Sequence, residues 1–146
     1  MITNTAVIRE AKTDDEIIFC WEVVEALRPH LEKENLISQV KEMMKEGYRM
    51  FFVEAGGKAV CFAGFREMYM LYCGKIIYID DLSTLPDHRG KGYAGMLLNH
   101  IHQLAKDLGK AAVHLDSGHH RHTAHRLYLN KGYVITSHHF ANTFTR

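Results

Sequence analysis

Apolar residues recur along the chain with two periods, and each change of period marks the boundary of a predicted element. Continuous or alternating apolar runs indicate strands, whereas apolar residues three or four positions apart indicate helices. The pattern predicts strands over residues 6–11, 48–54, 59–66, 76–82, 111–116, 133–136 and 138–144. It predicts helices from 13 to about 29, over 36–46, from the glycines near 92 to about 108, and over 121–130. Residues 68–73 either extend the third strand or loop out.

This order of elements predicts a mixed α/β sheet flanked by about four helices. Strands joined by short turns pair antiparallel, and Gly56-Gly57 suits such a hairpin turn. The strands over 76–82 and 111–116 are separated by a helix, which predicts a parallel crossover between them. With 146 residues, the chain is predicted to be one domain, 1–146, that is long enough for a real core.

A glycine-rich loop joins the strand over 76–82 to the following helix. It reads Arg89-Gly90-Lys91-Gly92-Tyr93-Ala94. A strand, a glycine-rich turn and a helix N-terminus together form an anion site, because unpaired helical N–H groups point outward there. The alternative is an ordinary turn whose glycines only relieve backbone strain.

Two nucleotide-binding fingerprints do not fit this loop. The spacing Gly-x-x-x-x-Gly-Lys-Ser/Thr of a P-loop is absent. Gly90, Gly92 and Gly95 match the Gly-x-Gly-x-x-Gly spacing of dinucleotide-binding folds. In such folds, however, the strand leads almost directly into the glycines, whereas residues 85–89 intervene here. The loop therefore predicts an anion site of another kind.

The loop resembles the acyl-CoA loop of the GNAT N-acetyltransferases, Arg/Gln-x-x-Gly-x-Gly/Ala, matched here by residues 89–94. The family's preceding Leu-x-Thr/Val-x-Pro is matched by residues 82–86. A second motif lies at 124–133, which is similar to the family's Ala-x-x-Leu/Phe-Tyr-x-x-x-Gly-Phe. The resemblance runs from end to end of the chain. It implies the GNAT acyl-CoA N-acyltransferase fold and an N-acetyltransferase that uses acetyl-CoA as co-substrate.

The resemblance also implies roles for individual residues. The backbone N–H of Leu82 is the implied oxyanion donor, and Tyr128 is the implied acid that protonates the leaving thiolate. Family members commonly carry Asn three residues before the position of Ala124, where this chain has Arg121, so Arg121 is a candidate phosphate contact. The residues implied to bind acetyl-CoA are Leu82, Ser83, Thr84, Arg89, Gly90, Lys91, Gly92, Tyr93, Ala94, Gly95 and Arg121.

The attacking amine must lose a proton, because a free amine with a pKa of about 10 is mostly charged at neutral pH. Asp80 and Asp81 lie where the apolar strand meets the loop, and a carboxylate there takes the proton directly or through water. Neighbouring strand residues face opposite sides, so only one of the two is expected to face the site. Relatives that act on polyamine-like substrates carry an acid at the Asp80 position, which favours Asp80. Asp81, a histidine and water stay open as alternatives, and so does a role for Asp80 in binding the ammonium alone.

Composition mainly excludes classes of partner. The net charge of +1 gives no reason to expect nucleic acid or membrane surfaces, and no window approaches the ~20 apolar residues of a membrane helix. The first residues lack the basic start and apolar run of a signal peptide, so the expected location is the cytoplasm. Three cysteines without metal-like spacing are predicted to be reduced thiols. The 11 histidines cluster late but lack the converging ligands and cysteine partners of a zinc site, so no metal is expected.

The predicted function is transfer of the acetyl group of acetyl-CoA to a primary amine of a small molecule, by direct attack in a ternary complex. No cysteine lies in either motif, so a covalent acyl-enzyme route has no evident nucleophile. Two alternatives stay open: acetylation of a protein lysine or N-terminus, and a non-catalytic regulatory domain that binds acyl-CoA. The sequence does not specify the acceptor amine. A homodimer joined through the last strand is a further hypothesis.

Overall fold

The computed structural model describes residues 5–145. In chain order its elements are β1 (Val7–Glu10), α1 (Asp14–Phe19), α2 (Trp21–Leu27), α3 (Lys33–Lys45), β2 (Arg49–Ala55), β3 (Lys58–Met70), β4 (Gly74–Thr84), a 3₁₀ helix (Pro86–His88), α4 (Tyr93–Asp107), β5 (Ala112–Leu115) and α5 (His122–Asn130). The chain forms two compact units, one up to Leu115 and one from Asp116 onward.

The first unit is built on a five-stranded sheet in the order β1-β2-β3-β4-β5. Neighbouring strands from β1 to β4 pair antiparallel, and β4 pairs parallel with β5 after the α4 crossover. The predicted mixed sheet is therefore confirmed in both its antiparallel and its parallel part. Residues 68–73, for which the sequence allowed either a longer strand or a loop, do both. Strand β3 continues to Met70, and the chain then turns into β4, which begins at Gly74.

The apolar pattern of the sequence becomes the core of this unit. Phe52, Phe62 and Phe65 are fully buried on the central strands β2 and β3. Helix α4 buries Leu97 and Ile101, which lie at helical spacing on its apolar stripe. Full burial of a side chain of this kind stabilises the fold by roughly 1.5–3 kcal/mol. This packing holds α4 against the sheet, and the glycine loop leads directly into the first turn of that helix.

The predicted first helix is in fact two helices, α1 and α2, that meet at Cys20. The capping box at its start forms as predicted, since the Thr13 hydroxyl accepts from the backbone N–H of Glu16, and the Glu16 carboxylate accepts from that of Thr13. At Cys20 the backbone N–H donates to the carbonyl of Ile17 at 3.1 Å, which is a tight i→i−3 bond. The apolar stripe continues across this point, so periodicity alone predicted one helix.

Strand β4 departs from regular pairing at Asp80. Ile79 lies opposite Phe65 and Asp81 lies opposite Gly64, so Asp80 is the extra residue of a β-bulge. The parallel pairing with β5 ends at Ile79, which lies opposite Leu115. Residues 80–84 therefore belong to a part of β4 whose second backbone edge is not paired with β5.

Among the described residues of the second unit, α5 is the one helix. The strands predicted over 133–136 and 138–144 are wrong, because residues 133–145 contain neither helix nor strand. An alternating apolar pattern forms a strand only where a neighbour supplies backbone hydrogen bonds. Several apolar side chains of this segment are largely exposed: Val134, Ile135, Phe140 and Phe144.

The helices of the described chain are short. The longest, α4, has 15 residues, whereas a helix needs about 20 to cross a bilayer. Accordingly, no helix within residues 5–145 is long and apolar enough to cross a membrane. The cytoplasmic location stays a prediction.

Candidate functional site

A cavity of about 380 Å³ lies in the first unit beside the bulge of β4. Helices α2 and α3, the segment between them and strands β2 to β4 supply its walls. Apolar side chains such as Val40 and Phe62 form much of the lining, while the charged groups are Arg28, Asp80 and Asp81. A largely apolar cavity of this size with a few converging polar groups is typical of a small-molecule site.

Asp81 is held at both carboxylate oxygens. The Tyr48 hydroxyl donates to Oδ2 at 2.8 Å. Arg28 donates to Oδ1 from Nε at 3.1 Å and from Nη2 at 2.8 Å, and Nη2 also donates to the backbone carbonyl of Asp80 at 3.1 Å. The Asp81 side chain is only 14% exposed. These donors fix the direction of a carboxylate that would otherwise rotate.

Asp80 lines the same cavity but has a different partner. Arg66 on β3 donates from Nε to Oδ2 at 3.0 Å and to Oδ1 at 3.2 Å, and from Nη2 to Oδ2. The hydrogen bond to Asp80 raises the pKa of Arg66. Both aspartates line this one cavity, while the expectation that only one of them faces the catalytic site stays a prediction. The bulge inserts one residue and so breaks the alternation of side chains along β4.

The Tyr48 hydroxyl reaches Asp81 through space that a glycine leaves open. Gly64 lies opposite Asp81 on β3, and a Cβ at Gly64 would overlap the hydroxyl and ring of Tyr48. Burial, and then the neighbouring Asp81 carboxylate, raises the pKa of Tyr48 well above its ordinary value. The phenol is therefore protonated at neutral pH and acts as a hydrogen-bond donor to Asp81.

The glycine loop ends at an uncapped helix N-terminus. Gly90 and Gly92 have φ of 77° and 84°, a left-handed conformation that favours glycine. The first bond of α4 runs from the N–H of Met96 to the carbonyl of Gly92. Within residues 5–145, no group accepts from the N–H groups of residues 93–95, and no side chain caps the helix. A Cβ at either glycine would meet nothing within 4 Å, so the space around the loop is open.

The two cations of the loop add positive charge to this N-terminus. Arg89 and Lys91 are both exposed. Neither forms an ion pair with any residue of the described range 5–145. The first turn of α4 contains no acidic residue. Together with the helix dipole, the loop therefore presents a local positive field that suits an anion.

The three predicted residues of β4 lie on the segment that is not paired with β5. Leu82 and Ser83 are buried, and Thr84 is half-buried. Thr84 lies opposite Cys61 and donates its hydroxyl to Sγ at 3.3 Å. Burial raises the pKa of Cys61 to about 11. This thiol is therefore protonated at neutral pH, and a protonated thiol is a poor nucleophile.

Tyr128 and Arg121 lie in the second unit. Arg121 is exposed and directly precedes α5, while Tyr128 on α5 is 8% exposed. The ring of Tyr128 packs edge-on against Tyr133, with the centroids 5.9 Å apart. Burial raises the pKa of Tyr128, and the charge of Arg121 lowers it by less. Tyr128 is thus protonated at neutral pH, as a proton donor must be, and the roles given to both residues stay predictions.

Two of the late histidines lie close to polar atoms of the second unit. His125 Nε2 lies 2.8 Å from the carbonyl oxygen of Gly118, and His139 Nδ1 lies 3.2 Å from Oδ2 of Asp116. Within residues 5–145, no group of three or more histidine, cysteine or acidic side chains is placed to hold a metal ion. The three cysteines are free thiols.

Sequence reasoning missed two residues that line the cavity, Arg28 and Tyr48, and two that support its wall from β3, Gly64 and Arg66. A signal existed for Arg66, because a cross-strand ion pair with Asp80 follows once β3 and β4 are aligned with the bulge in place. No pattern in the sequence indicated a role for Arg28. It lies just after α2 and bonds to a strand residue 53 positions later, a contact that no local pattern predicts.

The fold and the motifs agree with a known family. The model of the Acetyltransferase (GNAT) family matches residues 11–133, which is most of the chain. The protein therefore belongs to the GNAT acetyltransferase family. This membership confirms the predicted fold, the enzyme class and acetyl-CoA as co-substrate.

Individual relatives fit this assignment. The chain is 28% identical over 135 residues to the uncharacterized N-acetyltransferase YhdJ of Bacillus subtilis (strain 168), with 91% of this chain and 95% of that protein covered. It is 28% identical over 123 residues to thialysine N-epsilon-acetyltransferase of Sus scrofa, with 72% and 70% covered. An aminoglycoside N-acetyltransferase, AAC(6')-Iy, solved in complex with CoA, superposes with a TM-score of 0.84 at 16% identity, over 98% of this chain and 97% of that chain. The likeness to this structure concerns the fold alone.

Proposed function

We propose that this protein, acting as a single GNAT domain, transfers the acetyl group of acetyl-CoA to a primary amine of a small molecule by direct attack. One observation carries the proposal: the cavity beside the bulge of β4 presents two carboxylates next to the strand segment that has left β5. A cavity of about 380 Å³ suits a small acceptor. The relative from Sus scrofa is named for thialysine, which is itself a small amine.

The proposed position of the co-substrate pyrophosphate is the glycine loop. The open N–H groups of residues 93–95 and the uncapped dipole of α4 suit an anion. The left-handed glycines leave room for it, and Arg89 and Lys91 add charge. Arg121 is proposed as a further cation toward the phosphates. The backbone of residues 82–84 is the proposed contact for the acyl end, because that edge of β4 is not paired with β5.

Acetyl transfer then needs an oxyanion donor and a proton for the departing sulfur. The backbone N–H of Leu82 is the proposed oxyanion donor, and a preorganised donor of this kind lowers the barrier by roughly 3 kcal/mol. As the amine nitrogen bonds to the carbonyl carbon, the carbon–sulfur bond breaks, and Tyr128 is proposed to give its phenolic proton to the sulfur. The buried, protonated thiol of Cys61 is consistent with a route that has no acyl-cysteine intermediate.

Asp80 is the proposed group that meets the acceptor ammonium. Its two oxygens accept from Arg66, but a carboxylate offers about four lone-pair sites, so capacity remains for the substrate. The proton leaves the amine to Asp80 directly or through a water molecule. In this assignment Asp81 positions the site, because Tyr48 and Arg28 already engage both of its oxygens.

The test is thiol release from acetyl-CoA by the purified protein with a panel of amines, amino acids, aminoglycosides and lysine peptides. We expect release with small amines and little with peptides. Release with peptides alone would instead show a protein acetyltransferase. Binding of acetyl-CoA without thiol release on any acceptor would show a non-catalytic domain and overturn the proposal.

Tyr128→Phe tests the proposed acid within the same assay. Turnover should fall about 100-fold, the usual contribution of a general acid, with the Kd for acetyl-CoA nearly unchanged. Tyr133→Phe is the matched control, since that ring packs against Tyr128 and its phenol also has a pKa raised by burial. Equal activity of Tyr128→Phe and the unmodified protein would remove Tyr128 from the mechanism.

A further inference from the structure

We propose that the acceptor carries a carboxylate beside its amine, as an amino acid does, and that Arg28 binds this carboxylate. The inference rests on the proposed function, because it describes the acceptor of the same site.

The carboxylates of the cavity are already matched by cations. Asp80 pairs with Arg66, which reaches it from β3 without lining the cavity, and Asp81 pairs with Arg28. These four groups carry no net charge together. An acceptor with only positive charge would therefore meet no surplus of negative charge. An acceptor that carries one positive and one negative charge leaves the net charge of the occupied cavity unchanged.

Arg28 retains hydrogen-bonding capacity that points to an anion. Its Nε and Nη2 donate to Asp81 and to the carbonyl of Asp80, which uses the N–H groups of those two nitrogens. Within residues 5–145, no group accepts from Nη1, so two N–H donors of the guanidinium stay available. Arg28 lines the cavity with a side chain that is 42% exposed, so an acceptor can reach it. Guanidinium donors of this kind bind carboxylate oxygens strongly.

The reaction itself strengthens this match. An amine attacks only after it loses its proton, so the reactive form of an amino acid has lost one positive charge while its carboxylate remains. Arg28 compensates that remaining negative charge. Because Arg28 contacts both Asp81 and the carbonyl of Asp80, a carboxylate bound to it lies near Asp80, the group proposed to receive the proton of the amine.

The experiment compares acceptors that differ only by the carboxylate. Acetylation of lysine and cadaverine, and of ornithine and putrescine, is measured as kcat/KM for the protein of 146 residues. We expect the amino acid of each pair to be favoured by about tenfold, the effect of a 1.4 kcal/mol contact. Arg28→Met should remove the preference mainly by raising KM for the amino acid, and Arg28→Lys should keep part of it, since a lysine retains the charge but not the planar fork.

Arg66→Met is the matched control, because Arg66 is also paired with a cavity aspartate but does not line the cavity. It should lower kcat/KM for both members of a pair by the same factor. If Arg28→Met behaves in the same way, Arg28 only positions Asp81 and the inference is wrong. Arg28→Met leaves the Asp81 carboxylate without its cation. The double variant Arg28→Met with Asp81→Asn has no such unpaired charge, and we expect it to lose the preference for the amino acid as well.

The inference and the proposed function fail in different ways. Acetylation of diamines without any advantage for the amino acids would overturn the inference and leave the proposed function intact. Thiol release on none of these acceptors, nor on the wider amine panel, would overturn the proposed function itself.

Discussion

The cavity beside the β4 bulge and the glycine loop arrange their charged and polar groups in opposite ways. In the cavity, both oxygens of Asp81 and both oxygens of Asp80 already have donors in the protein. In the loop, the N–H groups of residues 93–95 and two cations have no partner within residues 5–145. One region consists of side chains that bond to each other, and the other presents backbone donors that have no acceptor among the described residues.

This difference teaches which kind of change each region tolerates. A network of mutually bonded side chains loses several contacts when one member moves, so substitutions there should cost stability as well as activity. The glycine loop makes few contacts within the described residues, and the N–H groups of residues 93–95 have no acceptor there. Substitutions in the loop should therefore act mainly on the affinity for a ligand.

Gly64→Ala should have the largest effect. A Cβ at Gly64 overlaps Tyr48, which is 4% exposed and cannot move without leaving Asp81. We expect a loss of more than about 2 kcal/mol in unfolding free energy, as overpacking of a closed site costs. The combination with Tyr48→Ala removes the overlapping ring, so chemical denaturation of all four proteins should show a double-mutant loss smaller than the sum of the single losses. An additive pair would show that the overlap is not the cause.

Tyr48→Phe should cost about 1–2 kcal/mol, because Asp81 loses a buried donor. The cost should shrink at high pH. The pKa of Tyr48 is raised in the fold, so its contribution is fully present below the pKa of about 10 of an unfolded tyrosine and is lost as pH rises above that value. Thermal melts from neutral pH upward should show the melting temperatures of Tyr48→Phe and the unmodified protein converging above pH 10. Tyr69→Phe, at an exposed position, should melt like the unmodified protein at every pH. A constant difference across this range would contradict the burial of Tyr48.

Gly92→Ala separates stability from ligand binding. With φ of 84° at Gly92 and no atom within 4 Å of a Cβ, alanine should cost about 1 kcal/mol through left-handed strain alone. Gly109→Ala is the matched control, since it follows α4 with φ of 71° and equally open space. Both variants should lose similar stability in denaturation, but only Gly92→Ala should raise the KM for acetyl-CoA. Equal KM values would remove the loop from co-substrate binding.

Lys91→Ala should have the smallest effect. The side chain is exposed and unpaired within the described chain, so stability should be unchanged. We expect the KM for acetyl-CoA to rise a few-fold at low salt and to depend less on ionic strength, because one screened attraction is lost. Lys106→Ala, an exposed cation in the last turn of the same helix, should show neither change in a salt series.

Local sequence patterns predicted most of the fold and the position of the glycine loop between β4 and α4. The capping box at Thr13, the hairpin glycines and the apolar stripe of α4 are short-range signals that the structure confirms. The positive φ of Gly90 and Gly92 fits the same local reading. Prediction failed where the outcome depended on a distant partner. The strands over 133–136 and 138–144 did not form, because alternation of apolar residues supplies no hydrogen-bonding neighbour.

The sequence by itself determined the class of protein. The glycine loop and the Tyr128 motif each lie in one continuous stretch of the chain, so their residues and spacing are visible without coordinates. Only the tertiary structure decided what surrounds Asp80 and Asp81. The bulge depends on the register between β3 and β4, and it places two neighbouring aspartates in the lining of one cavity. The contact of Arg28 with Asp81 spans 53 residues and closes only when α2 packs beside β4. Register and long-range packing are properties of the assembled sheet, and no single segment of the chain contains them.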